Sequence, residues 1–146
     1  MKIKKRIGIY MKTNNHKYFY LPPKEEAAMK VLWDTEEALS ASEIAERIPD
    51  RNWPASSIQA ILRNLVKKNA IRVDSITRLG KSYGRLFRPV LSANEYAAMQ
   101  FGRYYQNGKA DCFSMMSSLL GNISTGNDEI LEALQNLIKE YENEGN

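Results

Sequence analysis

Histidine and cysteine are almost absent from this chain: His16 and Cys112 each stand alone. A lone cysteine excludes an intrachain disulfide. One cysteine and one histidine also argue against a zinc site built within a single chain, so no metal is expected. No apolar run approaches the roughly 18 residues of a membrane-spanning helix, and no membrane insertion is expected. The first ten residues have a basic head. They lack the apolar core and small-residue cleavage site of a signal peptide, so the expected location is cytoplasmic. The parts of an active site are missing as well. No phosphate-binding loop or metal-ligand spacing appears, and Cys112 has no local base. The carboxylates fall on helix termini and exposed faces, where solvation explains them. The chain is therefore expected not to be an enzyme, with no catalytic residue and no cofactor.

What is present is charge of uneven distribution. Of 146 residues, 43% are hydrophobic, enough for a modest core and too many for a disordered chain. That length fits one domain, or a small domain with an appendage. The net charge is +4, but residues 1–91 hold 18 Lys and Arg against 9 Asp and Glu, whereas residues 92–146 hold 3 against 8. A basic front and an acidic back suggest a polyanion-binding part joined to a part with another task.

Trp53 to Asn69 is the most informative stretch. Ile58, Ile61, Leu62 and Leu65 recur at helical spacing and form one buried face. The opposite face carries Ser56, Ala60, Arg63 and Lys67, with Gln59 at its edge, and no carboxylate falls anywhere in the stretch. Such a face suits polyanionic DNA, and Arg and Gln can read base edges. A solvated basic face would look the same in isolation.

The flanks add context. Residues 1–20 are basic and aromatic without clear periodicity, and read as a flexible extension. Met11 is an alternative start. Pro22-Pro23 opens a helix with Glu25 and Glu26 in its first turn, where the helix dipole favours them. Its apolar stripe is Ala28, Met29, Leu32 and Trp33, and Asp34-Thr35 ends it. Ser40-Ala-Ser-Glu43 is a capping box opening a short helix with Ile44, Ala45 and Ile48 inward. Pro54 marks the start of the next helix, near its first position. Asn69 suits a left-handed helix terminus. Residues 71–79 and 85–91 then read as two strands around a tight loop at 80–84, with Pro89 confined to a strand end or edge. Three helices and a hairpin with Arg78, Lys81 and Arg85 near its tip describe a winged helix-turn-helix, whose hairpin would meet the sugar-phosphate backbone. Phosphate neutralisation would fall to Arg63, Lys67, Lys68, Arg78, Lys81 and Arg85.

Ser92-Ala-Asn-Glu95 is a second capping box. It opens a helix containing Tyr96, Met99, Gln100, Arg103 and Tyr104, broken at Asn107-Gly108. A short apolar helix over 111–120 follows, then a polar turn. A last helix is capped at Asn127 or Asp128 and striped by Ile130, Leu131, Leu134, Leu137, Ile138 and Tyr141. These helices expose more apolar surface than they can hide alone, which a second copy of the chain would cover; folding back on the winged helix is the other solution. The expected architecture is mainly α with a small β hairpin. It comprises an N-terminal extension (1–20), a winged helix-turn-helix DNA-binding domain (21–91) and a C-terminal helical dimerisation domain (92–146).

The residues also carry a family pattern. Glu25 with Met29-Lys-Val-Leu-Trp33, then Ser42-Glu43-Ile44, then Trp53-x-x-x-Ser57-Ile58-Gln59-x-Ile61-Leu62-x-x-Leu65-Val66-Lys67-Lys68-Asn69-Ala70-Ile71 resembles the BlaI/MecI/CopY family of bacterial penicillinase and methicillin-resistance repressors. Phe87-x-Pro89, Ser92-x-x-Glu95-Tyr96 and Asp128-Glu-Ile-x-Glu-x-Leu134 continue the match. The resemblance covers roughly 21–142 and is loose after 105. It implies a homodimeric repressor on a palindromic, double-stranded operator. Ser56, Ser57, Gln59 and Ala60 would enter the major groove, with Arg63 behind them. Ala60 departs from the Thr usual in the family, and Ser56 from a Lys-like side chain. Tyr83-Gly84-Arg85 departs from the family's Gly-Arg-x-Tyr wing. The beta-lactam-responsive members are released by a regulatory protease cutting an Asn–Phe bond, for which Asn122-Ile123 is the nearest counterpart. The Cys-x-Cys pair of the copper-responsive members is missing. A ligand-sensing winged-helix regulator is the alternative, with a pocket among Tyr96, Met99, Phe101, Tyr104, Tyr105, Phe113, Met115 and Met116.

Overall fold

The computed structural model describes residues 19–106, 111–122 and 127–145. The elements are α1 (Pro23–Trp33), β1 (Leu39–Ser40), α2 (Ala41–Arg47), a 3-10 turn (Ala55–Ser57), α3 (Ile58–Lys67), β2 (Ile71–Leu79), β3 (Ser82–Pro89), α4 (Ala93–Gln106), α5 (Cys112–Asn122) and α6 (Asn127–Gly145). This is the mainly α winged-helix architecture read from the sequence. The chain divides into two compact units, one spanning Phe19–Phe101 and one containing the described residues from Gly102 onward. The extension read over 1–20 lies, up to residue 18, outside the described residues.

Local chemistry accounts for the helix ends. Pro23 occupies the first turn of α1, where its missing N–H costs nothing. The Ser40 box closes in both directions: Glu43 N donates to Ser40 Oγ at 3.3 Å and Ser40 N donates to Glu43 Oε1 at 3.1 Å. The Ser92 box does the same, at 3.0 and 3.2 Å. Asn69 adopts φ 58°, the left-handed conformation that ends α3. The start of α3 differs from expectation. Pro54 stays extended and its carbonyl accepts Ser57 N at 3.0 Å, so one 3-10 turn precedes the regular helix at Ile58.

The core of the first unit gathers Leu21, Met29, Leu32, Leu39, Ile44, Leu62, Leu65 and Ile71, all fully buried. Fully burying side chains of this kind stabilises by about 1.5–3 kcal/mol each. Apart from Leu21, which precedes α1, they come from α1, α2, α3 and the sheet, so the apolar face of α3 is fixed against three other elements and its polar face must point outward.

The sheet holds two corrections. Its order is β1-β3-β2, because a two-residue strand absent from the sequence reading pairs Leu39 with Phe87 and Ser40 with Leu86. β3 is thus central, and Pro89 is tolerated at its last position, beyond the reach of β1. The expected loop over 80–84 is only two residues long. Leu79 pairs with Ser82, leaving Gly80-Lys81 as the turn, with Gly80 at φ 64°. Glycine at the first of two central positions is the type II′ solution, whose twist matches the flanking strands. A register shift between Val73 and Ser75 sets the faces of the hairpin. Gly84 has a separate reason to be glycine: a Cβ there would lie 2.2 Å from Leu79 Cδ1, so Leu79 folds flat across it.

α4 begins inside the first unit. Met99 is buried in its core, and the Trp33 and Tyr96 rings lie 5.9 Å apart. Trp33 Nε1 donates to Leu91 O at 2.8 Å, Leu21 N donates to Tyr96 Oη at 2.9 Å, and Gln100 Nε2 donates to Phe19 O at 2.7 Å. In the second unit, α5 is capped by Asp111, whose Oδ1 accepts Ser114 N at 2.9 Å. That hydrogen bond, joined by others from the same turn, lowers the Asp111 pKa from its usual 3.8.

Candidate nucleic-acid interface

The outward face of α3 is built by burying its other face. With Ile58, Ile61, Leu62 and Leu65 inward, a rotation of about 100° per residue leaves Gln59, Arg63 and Lys67 in one exposed arc, flanked by Val66 on one side and Ala60 and Asn64 on the other. Ser56 is exposed in the 3-10 turn before them, while Ser57 is half-buried at the margin. Ser57 therefore presents less of its hydroxyl than the sequence suggested. Gln59 lies at the edge of the arc, as read, and that edge borders the hairpin.

The hairpin places its three cations differently from one another. Lys81 is at the apex of the turn and exposed. Arg78 turns back on the tip, its Nε donating to Gly80 O at 3.3 Å. Arg85 is not at the tip: it pairs with Ile76 within the ladder. It shares with Gln59, Leu62, Arg63, Val66, Val73 and Phe87 a notch between α3 and the sheet.

Ion pairing sorts the basic residues further. Lys68 Nζ lies 2.5 Å from Glu25 Oε1, and Glu25 is only 7% exposed. Lys68 also sits over the Phe19 ring, with its nitrogen 5.8 Å from the centroid. Lys68 is thus committed to holding α3 against α1, and the expectation that it neutralises phosphate is corrected. Glu25 is corrected with it, from a solvated dipole residue to a buried partner. Asp74 takes both Arg72, at 3.2 Å, and Arg88, at 3.1 Å. Lys24 and Arg51 each lie over the Trp53 ring, at 5.7 and 5.4 Å from the centroid. Among the described residues, Arg63, Lys67, Lys81 and Arg85 have no carboxylate partner. The surface they share is therefore unneutralised, which a polyanion would complete.

Three exposed side chains on these elements escaped the sequence reading: Asn64 on α3, and Ile76 and Tyr83 on the hairpin. Asn64 carried no periodic signal. Tyr83 falls within the loop expected over 80–84, whereas Ile76 lies in a strand of the expected bounds whose simple alternation is interrupted by the register shift between Val73 and Ser75. No helix among the described residues is long and apolar enough to cross a membrane, and no metal-ligating group of three or more side chains occurs among them. Tyr96 and Met99, offered as pocket residues, are instead spent on packing in the first unit. Asn122 is the last residue of α5, and Ile123 lies outside the described residues.

The family model described as penicillinase repressor matches residues 21–140. No curated protein matches the chain. Among solved structures, the adhesin competence repressor AdcR from Streptococcus pyogenes is 14% identical at a TM-score of 0.39, covering 96% of this chain and 97% of its own. ZitR from Lactococcus lactis is 13% identical at a TM-score of 0.37, covering 94% of this chain and 93% of its own.

Proposed function

The chain belongs to the penicillinase repressor family of DNA-binding transcriptional repressors, and from that premise we propose that it acts as a homodimer on a palindromic operator. Repression needs no catalysis: occupancy of the operator blocks the promoter. The observation that carries this reading is the outward face of α3 and the hairpin, where Arg63, Lys67, Lys81 and Arg85 lack carboxylate partners among the described residues. Affinity comes mainly from their phosphate contacts. Ser56, Ser57 and Gln59 supply base contacts from the major groove, with Ala60 contributing apolar surface in place of a hydrogen bond. Arg78 stiffens the wing and adds charge beside it.

The second unit supports the dimer. Phe113 is 82% exposed, and Leu131, Leu137 and Ile138 of α6 are exposed as well. A second copy covers such surface by two-fold symmetry and sets the spacing of the half-sites. Release by a protease cutting near Asn122-Ile123 rests on the family resemblance alone, and is tested by following chain length after induction.

Selection from a random duplex pool tests the main reading. A palindrome with half-sites spaced by about one helical turn, or a multiple of it, is the expected outcome. Failure to enrich any sequence rules it out. Leu131→Asp and Ile138→Asp should yield monomers by light scattering and weaken operator binding. Retention of the dimer in both would refute the assignment of α6.

A further inference from the structure

The notch between α3 and the hairpin encloses about 180 Å³. Its apolar floor is taken from the buried Leu62 and Phe87, with the half-exposed Val66 and Val73 and the side chain of Gln59 also lining it. Arg63 enters from the helix and Arg85 from the central strand, and no carboxylate lines the space. Both arginines are exposed and neither has an ion-pair partner among the described residues. A guanidinium presents a planar fork of donors that matches phosphate oxygens bidentately. Both arginines line one small space of about 180 Å³, large enough for one tetrahedral anion. The apolar floor lowers the local dielectric and strengthens that attraction. The volume is below the roughly 300–1,000 Å³ of sites for drug-sized ligands, which disfavours a metabolite.

We propose that this notch seats a single phosphodiester of the bound duplex, shared by Arg63 and Arg85, with its deoxyribose over the apolar floor. The proposal rests on the DNA-binding reading and adds to it that the two arginines act on one phosphate rather than two. Seating that phosphate between helix and sheet fixes the depth of α3 in the groove, and so the base pair beneath Gln59.

Counterion release tests the sharing. The log–log salt slope of binding changes by about 0.9 for each phosphate neutralised. Arg63→Gln, Arg85→Gln and the double variant are compared on one selected duplex, with Lys81→Gln as a standard for one phosphate lost per protomer. If the seat is shared, each single variant changes the slope by much less than Lys81→Gln does, and the double variant by about as much as Lys81→Gln, about 0.9 per protomer or about 1.8 for the bound dimer. A loss in the double variant of about twice that of Lys81→Gln, about 1.8 per protomer, or of none, overturns the proposal. A duplex neutralised at one phosphate per half-site by methylphosphonate should weaken the wild type and leave the double variant unaffected. Inorganic phosphate at constant ionic strength should not displace DNA. Displacement from the wild type but not the double variant would mark a free-anion site and overturn the seat. Thermal melts confirm that each variant folds. If the wild-type chain bound no duplex at all, the repressor reading would fall, a result distinct from failure of the seat alone.

Discussion

Lys67 and Lys68 are adjacent and identical, yet the structure gives them opposite tasks, and substituting each by Met separates them. Lys67 is exposed on the α3 arc, without a carboxylate partner among the described residues. Lys68 Nζ is 2.5 Å from Glu25 Oε1, with side-chain exposures of 29% and 9%. At an effective dielectric constant of about 20, that separation corresponds to about 7 kcal/mol of gross attraction. Most of it is offset by desolvation of the two ions. Breaking a buried pair by removing one partner costs about 3–5 kcal/mol. Lys68 keeps partial contact with water, so Lys68→Met should cost about 2 kcal/mol, mostly from the carboxylate left buried. In a unit of this size that lowers the thermal midpoint by roughly 8–16 °C. Lys67→Met should leave the midpoint nearly unchanged. DNA binding should show the reverse. Lys67→Met reduces the salt slope by about 0.9 per protomer, and Lys68→Met leaves it at the wild-type value when measured well below the melting range. Glu25→Leu combined with Lys68→Met should recover most of the lost stability, because the orphaned charge is gone. The reasoning fails if Lys68→Met is as stable as Lys67→Met, or if it lowers the salt slope by as much.

Gly84→Ala should destabilise the wing, since the new Cβ meets Leu79 Cδ1 at 2.2 Å. Leu79→Ala in the same chain should restore exchange protection of the hairpin amides, and a double variant no better than the single would refute the packing argument. Tyr96→Phe leaves the Leu21 amide without its acceptor and should cost about 1–2 kcal/mol in urea unfolding. Asp111 has a lowered folded-state pKa, so the stability it gives α5 is complete above the unfolded value of about 3.8 and lost as pH falls through the lower folded value. Asp111→Asn should flatten that acid dependence in hydrogen exchange of the first turn of α5. A dependence unchanged in the variant would assign it to another group.

Local chemistry was legible in the sequence because it acts over a few residues. Both serine capping boxes, the proline at the start of α1 and the left-handed Asn69 follow from side-chain reach and backbone sterics alone. The outward face of α3 was legible for the same reason: four apolar residues at helical spacing define the opposite side. Strand β1 was not legible, because two residues carry no periodicity and exist as a strand only through β3. The wing length was misread because the glycine at position 84 looks like a turn residue. Its actual role, yielding space to Leu79, depends on a neighbour across the turn.

The sequence by itself determined the family, the winged-helix class and the basic character of its front, since these rest on composition, spacing and local backbone preference. Tertiary structure decided which basic residues are available to a polyanion. Lys68 and Lys67 have the same charge and nearly the same position in the chain. Only the folding of α1 against α3 brings the carboxylate of Glu25 to one of them and not the other. The notch holding Arg63 and Arg85 is likewise a product of packing, because 22 positions of chain separate two side chains that only the helix-to-sheet contact makes neighbours.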